Sequence, residues 1–96
     1  MKMLLIICPQ AREGDIRALI ERHNVHAFTQ IPEVLGEGEK GPVLGTRAWP
    51  GHQSLLFTVV PADRLPALVA DLRECVKRLY PDEGVRALVL PVEQVI

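Results

Sequence analysis

Apolar residues in this chain recur with two periods, and the alternation between them outlines the fold. MLLIIC, residues 3–8, is an unbroken apolar run closed by Pro9, which reads as a buried strand. Ile16, Leu19 and Ile20 then fall at helical spacing with His23 behind them, while Arg12, Arg17, Glu21 and Arg22 take the other face. That predicts an amphipathic helix over residues 12–23, its first turn weakened by Gly14. HAFTQIPEVL, residues 26–35, is a second strand, and Pro32 within it demands a sheet edge or a bulge. QSLLFTVV, residues 53–60, is the strongest strand pattern, ended by Pro61.

After it, Leu65, Leu68, Val69, Leu72, Val76 and Leu79 make one stripe, opposed by Arg64, Asp71, Arg73, Glu74, Lys77 and Arg78. Asp63 is placed to cap this second helix, and Pro66 fits its first turn. PDEG, residues 81–84, is a turn, and VRALVL, residues 85–90, is the last strand.

The order β-α-β-β-α-β predicts an α+β, ferredoxin-like fold: an antiparallel four-stranded sheet with both helices on one face. With 96 residues and no linker or repeat, the chain reads as one domain over 1–96. A sheet with one wet face should alternate apolar and polar residues. Here Leu55, Phe57 and Val59 oppose Leu56, Thr58 and Val60, Ala87 and Val89 oppose Leu88 and Leu90, and the first strand is apolar on both sides. Two helices cover only one side. Leaving the other wet forgoes roughly 10–20 kcal/mol per subunit, an upper bound before association costs. Copies of the chain in a closed assembly are the expected cover.

Charge and composition narrow the function. Eleven basic residues against twelve acidic ones leave no basic stripe, and four scattered aromatics make no stacking platform, so nucleic acid is not an expected partner. Cys8 and Cys75 form no CxxC or zinc-type spacing and read as reduced thiols. No segment has membrane-spanning length, and the leading apolar run is too short for a signal sequence, which points to a soluble, cytoplasmic protein. Ser54, the sole serine, lies inside a strand pattern without an evident histidine–acid pair, and neither cysteine has an adjacent base. A non-enzymatic role is expected.

Residues 33–52, EVLGEGEKGPVLGTRAWPGH, hold five of the seven glycines. Gly36 to Gly41 match G-x-G-x-x-G by letter, but Pro42 and a strand follow where a dinucleotide motif must open a helix. A hairpin loop is the plainer reading, with Lys40, Arg47 and glycine N–H groups available to an anion. Trp49, the only tryptophan, sits at a turn, either meeting a partner or tucked against its own or a neighbouring subunit. His52, at the loop exit near Glu33, Glu37 and Glu39, is the best single candidate for a divalent metal, although the spacing matches no known site.

The layout MKMLLIICP … EVLGEGEKG … LLFTVVPADRLPALVADLRE … VRALVLPVEQVI resembles the nitrogen-regulatory P-II proteins and their P-II-like relatives. EVLGEGEKG is similar to the base of that family's long T-loop, and VLPVEQVI to its final strand and tail. The resemblance implies a homotrimer that binds a small effector, an adenine nucleotide above all, between subunits. Such a regulator signals through the T-loop to a transporter or a regulated enzyme. It implies effector contacts at Gly36, Glu37, Gly38, Lys40, Gly41 and Arg86, with Arg86 matching the lysine of the family's glycine-rich B-loop. Residues 36–51 then stand as a shortened T-loop whose Arg47 and Trp49 meet the partner. Two departures stand out. LYPDEGVR replaces the B-loop glycines that supply phosphate-binding amides, and the short loop has no tyrosine for uridylylation, Tyr80 belonging to the second helix. The CutA family shares this fold, so a trimeric divalent-metal binder using His52 is the alternative expectation, and an inert scaffold a third.

Overall fold

The computed structural model describes residues 1–38, 41–43, 52–79 and 84–96. Lys40, Arg47, Trp49 and Tyr80, and most of the turn at 81–84, lie outside the described residues. Strand β1 (Lys2–Pro9) runs through a single 3-10 turn at Gln10–Arg12 into helix α1 (Glu13–Arg22). Strand β2 (Thr29–Val34) leads to two short strands, β3 (Gly36–Gly38) and β4 (Gly41–Val43). Strand β5 (Gln53–Val60), helix α2 (Leu65–Leu79) and strand β6 (Arg86–Pro91) follow. The main sheet has the order β2-β5-β1-β6 with every pairing antiparallel, the ferredoxin-like arrangement expected from the pattern.

The core lies between this sheet and both helices. Leu4, Ile6 and Cys8 from β1 and Leu56 and Val60 from β5 pack with Ile16, Leu19 and Ile20 of α1 and Leu68 and Leu72 of α2. Ile16, Leu19 and Ile20 of the α1 stripe are buried, and of the α2 stripe Leu68 and Leu72 are buried while Leu65 and Val76 pack half-buried against them. Two polar side chains on this face are also buried, and each is satisfied. The Ser54 hydroxyl donates to Glu13 Oε2 at 2.6 Å, and the Thr58 hydroxyl donates to the Ala27 carbonyl.

Local backbone chemistry explains the element ends. Asn24 takes φ +61° just after α1, the left-handed position that closes a helix, and its N–H bonds to the Glu21 carbonyl at 3.0 Å. β2 is an outer strand, and its register slips between Ile31 and Val34, where Pro32 offers no N–H and Glu33 adopts φ +58°. Pro32 thus marks both an edge and a bulge. Asp63 departs from expectation. The Arg64 N–H bonds to the Pro61 carbonyl at 3.0 Å, so Asp63 is held in a tight turn, and Arg64 takes the cap position with its carbonyl accepting from Leu68.

Asp71 also departs from its stripe. Although on the polar side of α2, it is half-buried and accepts a 2.8 Å hydrogen bond from His23 Nε2, with Arg22 Nη2 at 3.7 Å. The contact ties the end of α1 to the middle of α2. The hydrogen bond from His23 and the neighbouring Arg22 charge hold the Asp71 carboxyl below its ordinary 3.8, against a smaller opposing push from burial. A depressed folded-state value adds stability that is complete above the unfolded pKa and is lost as pH falls through the folded one. Asp71→Asn should therefore lower the urea midpoint at neutral pH, and the gap from wild type should close progressively as pH falls below about 3.8. Urea titrations from about pH 2.5 to about pH 7 measure it.

Candidate functional site

The face of the sheet turned away from the helices is apolar across all four strands. Its side chains align in rows set by the register. Ile31, Leu55, Ile7 and Arg86 form one row, Thr29, Phe57, Leu5 and Leu88 the next, and Val59, Met3 and Leu90 a third. Leu88 is 49% exposed, Ile31 44%, Leu90 41% and Val59 39%. Such a continuous patch on a small domain marks an interaction surface.

Arg86 is the one cation in these rows, standing at the corner where β6 begins, beside Ile7. At the same end of the sheet, beyond the bulge, the glycine-rich segment leaves β2. Gly36 pairs with Val43, Glu37 with Pro42 and Gly38 with Gly41 in a short antiparallel ribbon. Among the described residues Gly41 opens a strand rather than a helix, so Gly36–Gly38 and Gly41–Val43 form a paired ribbon and not the strand-to-helix setting of a dinucleotide cradle. β2 and β6 are the two opposite edges of the sheet. Three strand spacings, about 14 Å, separate them. A single protomer therefore gathers Gly36, Glu37, Gly38 and Gly41 in one ribbon but does not bring Arg86 to it.

His52 stands just before β5. Its carbonyl accepts the Gln10 N–H at 2.9 Å, while its buried Nδ1 has no hydrogen-bond partner among the described residues. No group of three or more His, Cys, Asp or Glu able to hold a metal ion occurs among the described residues. Among the described residues, His52 thus belongs to no such group.

A family model described as nitrogen regulatory protein P-II matches residues 1–96, the whole length of the chain. The chain belongs to that family. No curated protein sequence matches it. Among solved structures, the P-II-like protein CPII from Thiomonas intermedia K12, bound to ADP, AMP and bicarbonate, superposes with a TM-score of 0.76 at 19% identity, over 92% of this chain and 81% of CPII. A PII-like signalling protein from Thermus thermophilus gives 0.63 at 20% identity, over 92% and 82% of the two chains. A DUF3240 family protein from Shewanella baltica OS155 gives 0.70 at 17%, over 98% and 91%. At these identities the likeness is one of fold. P-II proteins are regulatory, and the P-II fold is what the sheet and helices here build.

Two side-chain contacts of α1 escaped sequence reasoning. Ser54 does have an acid beside it, Glu13, but both atoms serve packing: Ser54 is fully buried and Glu13 is also 3.6 Å from Arg17. The Arg17 guanidinium lies 5.4 Å from the centre of the Phe28 ring, covering it. These pairs join residues 41 and 11 positions apart, and only the register of β1 with β5 could have hinted at the first.

Cys8 sits on the same inner face, opposite Ser54. Burial, and secondarily the Glu13 charge, pushes its thiol from 9.0 up to about 11. At pH 8 that leaves about 0.1% thiolate, the reactive form. Cys75 is half-buried on α2, and both thiols are free. A thiol reagent at pH 8 should consume one cysteine, Cys75, in the native protein and Cys8 only after denaturant is added. Peptide mapping of the labelled chain distinguishes this from rapid labelling of both.

Proposed function

We propose that this P-II protein acts as a homotrimeric regulator that takes a small anionic effector, with an adenine nucleotide the first candidate, in clefts between its subunits. One observation carries the reading. The glycine ribbon and Arg86 stand at the same end of the sheet but on opposite edges, flanking an uncovered apolar face. Apposing the outer faces of neighbouring copies sets the β2 edge of one beside the β6 edge of the next, and the two halves of the site meet there.

In that cleft backbone N–H groups of the glycine ribbon would receive phosphate, Lys40 is a candidate cation by sequence, and Arg86 would add a charge-assisted contact from the adjoining copy. Glu37 opposes excess negative charge, which favours a ligand with few phosphates or one also contacting a cation. The departure LYPDEGVR leaves phosphate contacts mainly to side-chain cations. The P-II-like CPII carries ADP, AMP and bicarbonate, in keeping with this class of ligand. Residues 40–51, with Arg47 and Trp49, would then convey the ligand state to a partner such as a transporter or a regulated enzyme. The rival reading, a divalent-metal site using His52, draws on its unpartnered Nδ1.

Sedimentation and calorimetry test the proposal together. The wild type should sediment as a trimer, and Leu5→Glu, placing a charge in the middle of the outer face, should give single chains at low micromolar concentration. Nucleotide heats should disappear in Arg86→Ala while the trimer persists. A monomeric wild type refutes the assembly. Zinc or copper heats that vanish in His52→Ala, with silence from ATP, ADP and AMP, transfer the function to the metal.

A further inference from the structure

The helix-facing side of the sheet is not covered evenly. Ala87 and Val89 point to the same side as the buried Ile6 and Leu4 they pair with, yet both are exposed. Between α2 and β6 lies a groove of about 310 Å³, at the small end of the range for ligand pockets. Val69, Leu72, Arg73, Val76 and Lys77 line it from α2, spaced i, i+3, i+4, i+7 and i+8 on one helix face. Val85, Ala87 and Val89 line it from β6, and the buried Leu4 lies at its base. Val69 to Lys77 along the helix and Val85 to Val89 along the strand each span about 12 Å, which sets its length. A single copy of the chain builds it, on the side of the sheet opposite the outer apolar face.

Among the described residues that line the groove, Arg73 and Lys77 alone are polar, and none is aromatic. The two cations stand one helical turn apart with exposed side chains, and neither has an ion-pair partner among the described residues. Asp71 is engaged with His23 and Arg22, and neither Asp71 nor Glu74 lines the groove. β5 and β6 both run antiparallel to β1, so α2, which joins them, runs back along β6. Lys77 therefore lies toward the Val85 end and Val69 toward the Val89 end, with Arg73 midway. The groove has a charged half and an aliphatic half.

We infer that this groove is a binding site for a small aliphatic carboxylate of medium chain length. The carboxylate sits between Arg73 and Lys77, and the chain lies over Leu72 toward Val69 and Val89. The cations supply the counter-charge that orients the ligand, and burial of the chain supplies most of the affinity. Bilayer lipids fit less well, because their acyl chains reach about 15 Å to the membrane midplane, beyond the length of the groove. Ala87 faces the groove, whereas its neighbour Arg86 lies in a row of the outer face, so this site is separate from the proposed effector cleft.

Equilibrium dialysis of the full chain with radiolabelled octanoate, below its micellar concentration, tests the site. One octanoate should bind per chain. Butanoate should bind at least about tenfold more weakly, since each buried methylene is worth up to about fourfold. Arg73→Glu with Lys77→Glu should weaken octanoate by about tenfold and leave octanol unchanged. Ala87→Phe, whose ring fills the groove from an exposed position, should abolish binding of both, and Val89→Phe replaces it should that variant fold poorly. Arg86→Ala and Leu5→Glu should bind octanoate as the wild type does, whatever their effect on nucleotide or assembly. Absence of octanoate binding overturns the inference, as does binding that survives both phenylalanine variants. Octanol held as tightly as octanoate overturns it too. Co-sedimentation with phosphatidylglycerol vesicles that is lost in Ala87→Phe would assign the groove to a membrane lipid instead.

Discussion

A four-stranded sheet with aliphatic side chains on both sides has twice the surface that two helices can shield. Everything else in this protein is arranged around that imbalance. On one side Leu4, Ile6 and Cys8 vanish beneath α1 and α2. On the other, Met3, Leu5 and Ile7, from the same strand, stay partly open to water. The energetic pressure to cover them is large compared with the few kcal/mol that separate folded from unfolded domains. Under the proposed assembly the protomer is one piece of a larger object, and the effector clefts form only where the pieces meet.

Local pattern made the architecture readable because strand and helix periods are properties of neighbours in sequence. The stripes Ile16–Leu19–Ile20 and Leu68–Leu72, the Pro32 irregularity and the doubly apolar strands all follow from residues a few positions apart. Contacts between helices were a different matter. His23 meets Asp71 only because α1 and α2 cross at that level, and Glu13 meets Ser54 only because β5 lies next to β1 and α1 folds over it. Asp63 misled for a related reason: Pro61 begins a hydrogen-bonded turn that consumes the residue before the helix can use it. As for the candidate site, its letters could be found, but the distance between its two halves is a matter of strand order.

The two sides of the sheet divide their labour. The inner side holds the hydrogen-bonded polar pairs and the shielded thiol of Cys8, all directed at keeping the helices seated. The groups proposed to receive a ligand, Arg86 and the glycine ribbon, stand at one end of the sheet on its two opposite edges. Substitutions on the inner side should thus appear as changes in melting, whereas those at Arg86 should leave the fold intact and alter recognition. Such separation lets P-II members keep one scaffold while the chemistry at its margins changes.

The bulge in β2 has a mechanical meaning. By absorbing an extra residue at Glu33 just before the ribbon, it lets pairing resume at Val34 with Gln53, after which β5 is locked to β1 over its full length. Lengthening or trimming the segment between those anchor points shifts nothing downstream, because the central ladder resets the frame. The excursion between β2 and β5 is in effect a socket into which inserts of different length can be fitted, each inheriting the same rigid mount.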